Sequence, residues 1–196
     1  MQTVTIVISF LAMAVSVVTA WLTLFRRGTI HMTQPTVVFF GPDGTNGHPK
    51  VFLRTLLYST ARRRQIVENI FVKLRRGESV QNFNIWVYGD GPLARGSGLC
   101  VGENGVVCNH HFLLPPQDVN FEFLAGEYIV ETYVSLVGQQ KPLLLNTLRL
   151  AVSERECITM KSGDAGLYFD WGPDSRHYHS HLDERPKLPF TTASSD

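Results

Sequence analysis

The chain has 196 residues, with 18 Lys+Arg against 17 Asp+Glu and three cysteines; its mean hydropathy is near zero. Three cysteines are too few for a disulfide-built scaffold, and a charged fraction of 18% is too modest for a disordered chain or a dedicated nucleic-acid binder. Thr3–Phe25 carries no charged side chain, so every Lys, Arg, Asp and Glu lies in residues 26–196. At ~150 residues per domain that remainder makes one domain with a tail, not a large two-domain enzyme.

The uncharged run of 23 residues reaches ~35 Å as a helix, enough to span a hydrocarbon core of ~30 Å with some tilt. Val18-Thr19-Ala20 has the small-residue pattern of a signal-peptide cleavage site. No basic segment precedes the run, however, and it continues through Trp21, Leu22, Leu24 and Phe25. It therefore reads as a retained signal anchor covering, with its flank, residues 1–27. Arg26 and Arg27 follow it at once, and Lys and Arg resist translocation. The expected topology is N-out, with the C-terminal domain on the cytoplasmic side of the plasma (inner) membrane. Within the helix, Ala12, Ser16 and Ala20 form a small-xxx-small row that permits close helix–helix approach and a homo-oligomer.

From Gly28 onward the apolar period becomes two. Ile66, Ile70, Val72 and Leu74 fall opposite Asn69, Lys73 and Arg75, while Phe83, Ile85 and Val87 alternate with Asn84, Trp86 and Tyr88. Similar runs occupy 29–40, 50–60, 99–101, 106–113, 128–137 and 143–152, with turn chemistry at Gly41-Pro42-Asp43-Gly44, at Gly89-Asp90-Gly91-Pro92 and from Gly138 to Pro142. About eight short strands over residues 28–153 predict an all-β sandwich, with a small barrel as the alternative. Leu167-Tyr168-Phe169 reads as one more edge strand, whereas the stretch from Gly172 shows no periodicity and reads as a mobile tail of a C-terminal extension, 154–196.

Phe123-Leu124-Ala125-Gly126-Glu127-Tyr128-Ile129-Val130, continuing through Tyr133-Val134-Ser135-Leu136, resembles the penultimate strand of immunoglobulin-like and fibronectin-type sandwiches. The resemblance implies that Tyr128 packs under a corner and bonds backbone upstream, and that a hairpin into 143–152 supplies the last strand. The paired Cys and Trp of antibody domains are not at matching positions, so the likeness is architectural and carries no function. The block Gln81-Asn82-Phe83-Asn84-Ile85-Trp86-Val87-Tyr88-Gly89-Asp90, with its continuation to His111, is similar to uncharacterised bacterial single-pass membrane proteins.

Charge is polarised along the chain. Residues 1–100 hold 11 Lys+Arg and 4 Asp+Glu, a net +7, and residues 101–196 hold 7 and 13, a net −6. The basic half concentrates at Arg26 and Arg27, at Arg62, Arg63 and Arg64, and at Lys73, Arg75 and Arg76. With little stalk after the helix, these positions are expected to lie close to the bilayer and contact anionic lipid at about 1 kcal/mol each, or else to be solvated strand ends. Nucleic acid is not an expected partner, because no aromatic platform accompanies the arginines.

Gly102-Glu103-Asn104-Gly105 predicts a tight hairpin. A three-residue loop places Cys100 opposite Cys108, whereas a two-residue turn places Cys100 opposite Asn109. Only the first register allows a disulfide or a shared metal, and in a reducing compartment two small buried thiols are expected. His177, His179 and His181 alternate, so an extended chain points all three rings one way. Imidazole rows capture zinc, copper or nickel, yet a disordered tail pays heavily in ordering entropy to do so. They are weak metal candidates, and no metal or other cofactor is expected.

No GxxxxGK[ST], GxGxxG, GxSxG or HExxH motif is present. Ser97 with His110 or His111 offers the letters of a nucleophile–base pair without a spacing that assigns one. The expected role is non-catalytic: recognition of a protein partner, or scaffolding of an assembly at the membrane, through strand edges or the aromatic side chains Trp86 and Tyr88. The alternative is a membrane-tethered sensor in which a barrel-like interior or the Arg62–Arg64 loop binds a small anionic ligand or lipid.

Overall fold

The computed structural model describes residues 2–25, 28–43, 47–89, 94–96, 98–118, 120–161 and 165–184; Arg26, Arg27 and Ser97 lie outside these. Helix α1 (Gln2–Ala20) continues into a π-helical turn, Trp21–Phe25. The 22 residues Gln2–Thr23 are long and apolar enough to cross a membrane. Four hydroxyls in this stretch are satisfied internally: Ser9 donates to the Thr5 carbonyl at 2.9 Å, Ser16 to Ala12 at 2.9 Å, Thr19 to Val15 at 2.8 Å and Thr23 to Thr19 at 2.8 Å, so these four need no partner from a second helix.

The rest is a two-sheet all-β fold in which every strand pair is antiparallel. One sheet comprises β1 (Ile30–Met32), β2 (Val37–Pro42), β3 (Pro49–Ser59), β6 (Ile85–Tyr88), β7 (Ala94–Arg95), β9 (Val106–Leu113), β12 (Ala165–Gly172) and β13 (His177–Glu184). Its order is β13-β12-β2-β3-β9-β6-β7, with β1 on β3. The second comprises β4 (Gln65–Arg76), β5 (Ser79–Phe83), β8 (Leu99–Val101), β10 (Gly126–Leu136) and β11 (Leu143–Val152), ordered β11-β10-β4-β5 with β8 on β4.

The core lies between the sheets, as period-two burial along β3 and β10 requires. Across the first sheet Leu167, Phe40, Val51, Phe112 and Trp86 align in register and are all buried. Phe40 reaches across to Tyr128 of the second sheet, ring centroids 5.6 Å apart, and stacks on Phe123 at 5.0 Å. The Tyr128 hydroxyl donates to the Leu124 carbonyl at 2.7 Å and accepts from the Leu124 amide at 2.8 Å, the upstream backbone bond expected of a tyrosine at this corner. The β10–β11 hairpin also forms, although β11 is not the final strand.

Three features depart from the sequence expectations. First, the chain after Ser153 is integrated into the sandwich. Ser153 and Glu156 form a reciprocal capping box that starts helix α2 (Glu154–Lys161). The chain then returns as β12, paired to β2, and β13, paired to β12. The turn between them, 173–176, closes with Arg176 in the left-handed region at φ 54°. The stretch after Gly172 is thus a turn followed by a strand as far as Glu184, where the sequence predicts a tail, and residues 185–196 lie outside the described set.

Second, the strand pattern through 79–88 breaks at Asn84, where the chain leaves the second sheet for the first. Phe83 fills the core from one sheet and Trp86 from the other, so the inward phase shifts. Third, β8 and β9 belong to different sheets. Gly102–Gly105 is a tight turn, its Gly105 amide donating to the Gly102 carbonyl at 3.1 Å, but it joins the sheets rather than closing a hairpin ladder.

Candidate functional site

The end of the sandwich nearest α1 is identified by the chain itself. Three Cα–Cα steps lead from Phe25 to Gly28, a reach of at most roughly 11 Å. Gly28 is locked against the turn that follows β3: its carbonyl accepts from Gln65 Nε2, and the Thr60 amide donates to the Thr29 carbonyl at 3.0 Å. A side chain at Gly28 would place its Cβ 2.5 Å from the Ala61 nitrogen, so only glycine permits this joint. The intervening turn, 60–64, presents Arg62, Arg63 and Arg64, all exposed. The three arginines therefore sit at the foot of the helix.

Neighbouring turns complete this pole. The Ser59 amide donates to the Gly102 carbonyl at 3.0 Å, bringing in 102–105, and the Val137 amide donates to the Ile66 carbonyl at 3.0 Å, bringing in 137–142. Arg63, Arg64 and Ile66 face Val137 and Gln139 across a shallow groove. Arg62 meets Glu103 at 3.9 Å in an exposed pair that contributes little.

Arg75 and Arg76 are elsewhere. β4 is 12 residues long, so at ~3.3 Å per residue they lie roughly 36 Å from its start at the helix-proximal pole. The grouping of all seven basic residues near the bilayer is corrected accordingly: the length of one strand separates the two clusters. Arg76 Nη1 donates to the Ala125 carbonyl at 3.3 Å, and Arg75 Nη1 to Glu131 at 3.3 Å.

Trp86 and Tyr88 do not form an exposed aromatic surface. Trp86 is 3% exposed and stacks on a half-buried Tyr88 at 4.9 Å. Its Nε1–H donates to His110 Nδ1 at 3.1 Å, which leaves the proton of the neutral imidazole on Nε2. Burial, and then the neighbouring His111, lower the His110 pKa from 6.5 to about 4, so the ring is neutral and structural at pH 7.

A partly exposed aromatic pair lies on the outer face of β4 and β10. Phe71 and Tyr133 pair in register and stack at 5.2 Å, with Lys73 Nζ 4.9 Å from the Tyr133 ring. The Tyr133 hydroxyl donates to Glu131 at 3.1 Å. Desolvation, then this carboxylate, raise the phenol above its ordinary range and keep it protonated. The sequence signal was present as Phe71, Lys73, Glu131 and Tyr133 at outward positions, but strand pairing alone makes them one patch.

No disulfide joins Cys100, Cys108 or Cys157. Cys100 pairs across β4 with Ile66 and Cys108 across β3 with Thr55, so both expected registers are replaced by inter-sheet separation. Cys108 is buried and Cys100 exposed, which corrects the expectation of two buried thiols. His177, His179 and His181 share the outer side of β13, where His181 Nδ1 lies 3.0 Å from Asp170 and the His177 and His179 rings are 4.1 Å apart. Among the described residues no three His, Cys, Asp or Glu side chains converge on a metal position.

No family model matches the chain. No curated protein matches it either. A solved structure, a family 123 glycoside hydrolase from Clostridium perfringens, is similar at a TM-score of 0.35 and 7% identity over 65% of this chain and 27% of that one. The chain thus spans about a quarter of that enzyme's length, and a likeness this distant carries no argument about activity.

Proposed function

We propose that the protein is a non-catalytic recognition module held at a membrane by α1, with an immunoglobulin-like domain that binds a protein partner through its surface. The strand orders β2-β3-β9-β6 and β11-β10-β4-β5 correspond to the A-B-E-D and G-F-C-C′ orders of immunoglobulin-like sandwiches, and the Tyr128 corner supports the same reading. β12 and β13 then form an addition beyond the first strand. The arginines after the helix favour a cytoplasmic domain on the inner membrane.

The observation that carries the proposal is the filled interior. One continuous cluster drawn from both sheets, including Phe40, Phe83, Phe112, Tyr128 and Val130, occupies the space between them. A sensor would hold convergent arginines around a closed pocket, whereas Arg62, Arg63 and Arg64 are exposed. Recognition is left to the surface, and the Phe71–Tyr133 pair supplies aromatic side chains of the kind enriched at interfaces.

Affinity purification from detergent-solubilised membranes tests this. The full chain should retain a co-purifying protein that is lost at least tenfold on Tyr133→Ala, a change on an outward face, while the variant keeps its cooperative unfolding. Recovery of the chain alone, or an unchanged partner yield in the variant, counts against the assignment.

A further inference from the structure

Resting on the reading of α1 as a membrane anchor, we infer that the helix-proximal pole is a seat for anionic lipid. In this seat Arg62, Arg63 and Arg64 engage headgroups while Val137 and Ile66 enter the interfacial region beside them. Three independent observations place these groups together. The Gly28 joint holds the arginine turn within a three-residue reach of the helix end. The bond between the Val137 amide and the Ile66 carbonyl brings the β10–β11 turn alongside it. Val137 and Ile66 are 62% and 47% exposed, branched apolar side chains bordering the same groove as Arg63 and Arg64.

Charge selects the occupant. Arg62, Arg63, Arg64 and Lys141 outnumber Glu103 and Glu68 at this end. A guanidinium cluster flanking exposed valine and isoleucine matches the boundary between phosphate and acyl chain, where cations meet anionic headgroups and apolar side chains leave water. With Gly28 held against the arginine turn, lipid contact at this pole sets the long axis of the sandwich away from the surface and keeps the Phe71–Tyr133 face accessible.

Depth-dependent fluorescence quenching tests the seat in the full chain reconstituted in vesicles. Cys100→Ser removes the exposed thiol, and Val137→Cys or Glu78→Cys then carries an environment-sensitive label at the proximal or distal pole. With phosphatidylglycerol mixed into phosphatidylcholine, lipid-borne quenchers should reach the label at 137 and not the one at 78. Quenching at 137 should fall at least roughly twofold in pure phosphatidylcholine, in raised salt, or when Arg62, Arg63 and Arg64 are changed together to Glu. Quenching at 137 that is indifferent to lipid charge and to the arginines, or equal at both poles, overturns the seat. Loss of the chain from vesicles on alkaline extraction would instead remove the anchor reading on which the seat rests, so the two failures are distinguishable.

Discussion

His110 shows how a single residue can be misjudged from its neighbours in sequence. Beside His111 it has the look of a strand end, yet it occupies an inward position in register with Leu53 and Tyr88, 1% exposed. Its folded pKa of about 4 lies below the ordinary 6.5, so between these values the unfolded chain binds the extra proton. The stabilising contribution is complete above pH 6.5 and is lost as the pH falls toward 4, up to about 3 kcal/mol. Denaturant titrations over this range should show stability declining on acidification. His110→Gln, which keeps an acceptor for Trp86, should flatten that slope; an unchanged slope would assign the acid sensitivity to other groups. Trp86 itself was legible as an aromatic on a strand, but its face was not, because the crossing at Asn84 reverses the phase.

Among the elements, β4 is the most instructive. A strict alternation from Ile66 predicts that residue inside; instead Val67 is buried and Ile66 exposed, because Ser135 pairs with Asn69 and Leu136 with Val67, leaving Glu68 as an extra residue. The bulge lets both ends of β4 keep their apolar side inward. Deleting Glu68 would restore simple alternation, whereas deleting Lys73 would turn Leu74 outward and drive Arg75 inward. The first deletion should leave a cooperatively unfolding protein and the second should not, as read by thermal melts of the purified chain; equal damage from both would refute the register. Helix α2 and strand β13 each had a local signature, the Ser153–Glu156 box and the period-two histidines. Neither could be weighed without knowing that β12 finds an open edge on β2.

For the molecule as a whole, the division into an apolar helix and a polar domain has a consequence for topology. Under the proposed N-out arrangement, a reporter fused at the C-terminus should be active only in the cytoplasm and one at the N-terminus only outside. The opposite pattern would place Cys100 in an oxidising compartment and reverse the leaflet that Arg62–Arg64 faces. The polarised charge acquires a finer meaning in three dimensions: Arg62–Arg64 and Arg75–Arg76 mark opposite poles of one strand, so the basic half of the sequence is not one surface.

Hydropathy and period-two patterning determined by themselves the apolar helix, the all-β class and most strands, because each follows from interactions within a few residues or from the alternation of one strand; the Tyr128 corner was implied by the resemblance of residues 123–136 to a sandwich strand. Tertiary structure alone decided which strands share a sheet, and through that the burial of Trp86 and His110, the separation of Cys100 from Cys108, the assembly of Phe71 with Tyr133, and the pole to which each arginine belongs. These depend on pairing between segments far apart in the chain, where the turn at Gly102–Gly105 and the step at Asn84 can close a ladder or cross between sheets, and only burial of the common core selects between them.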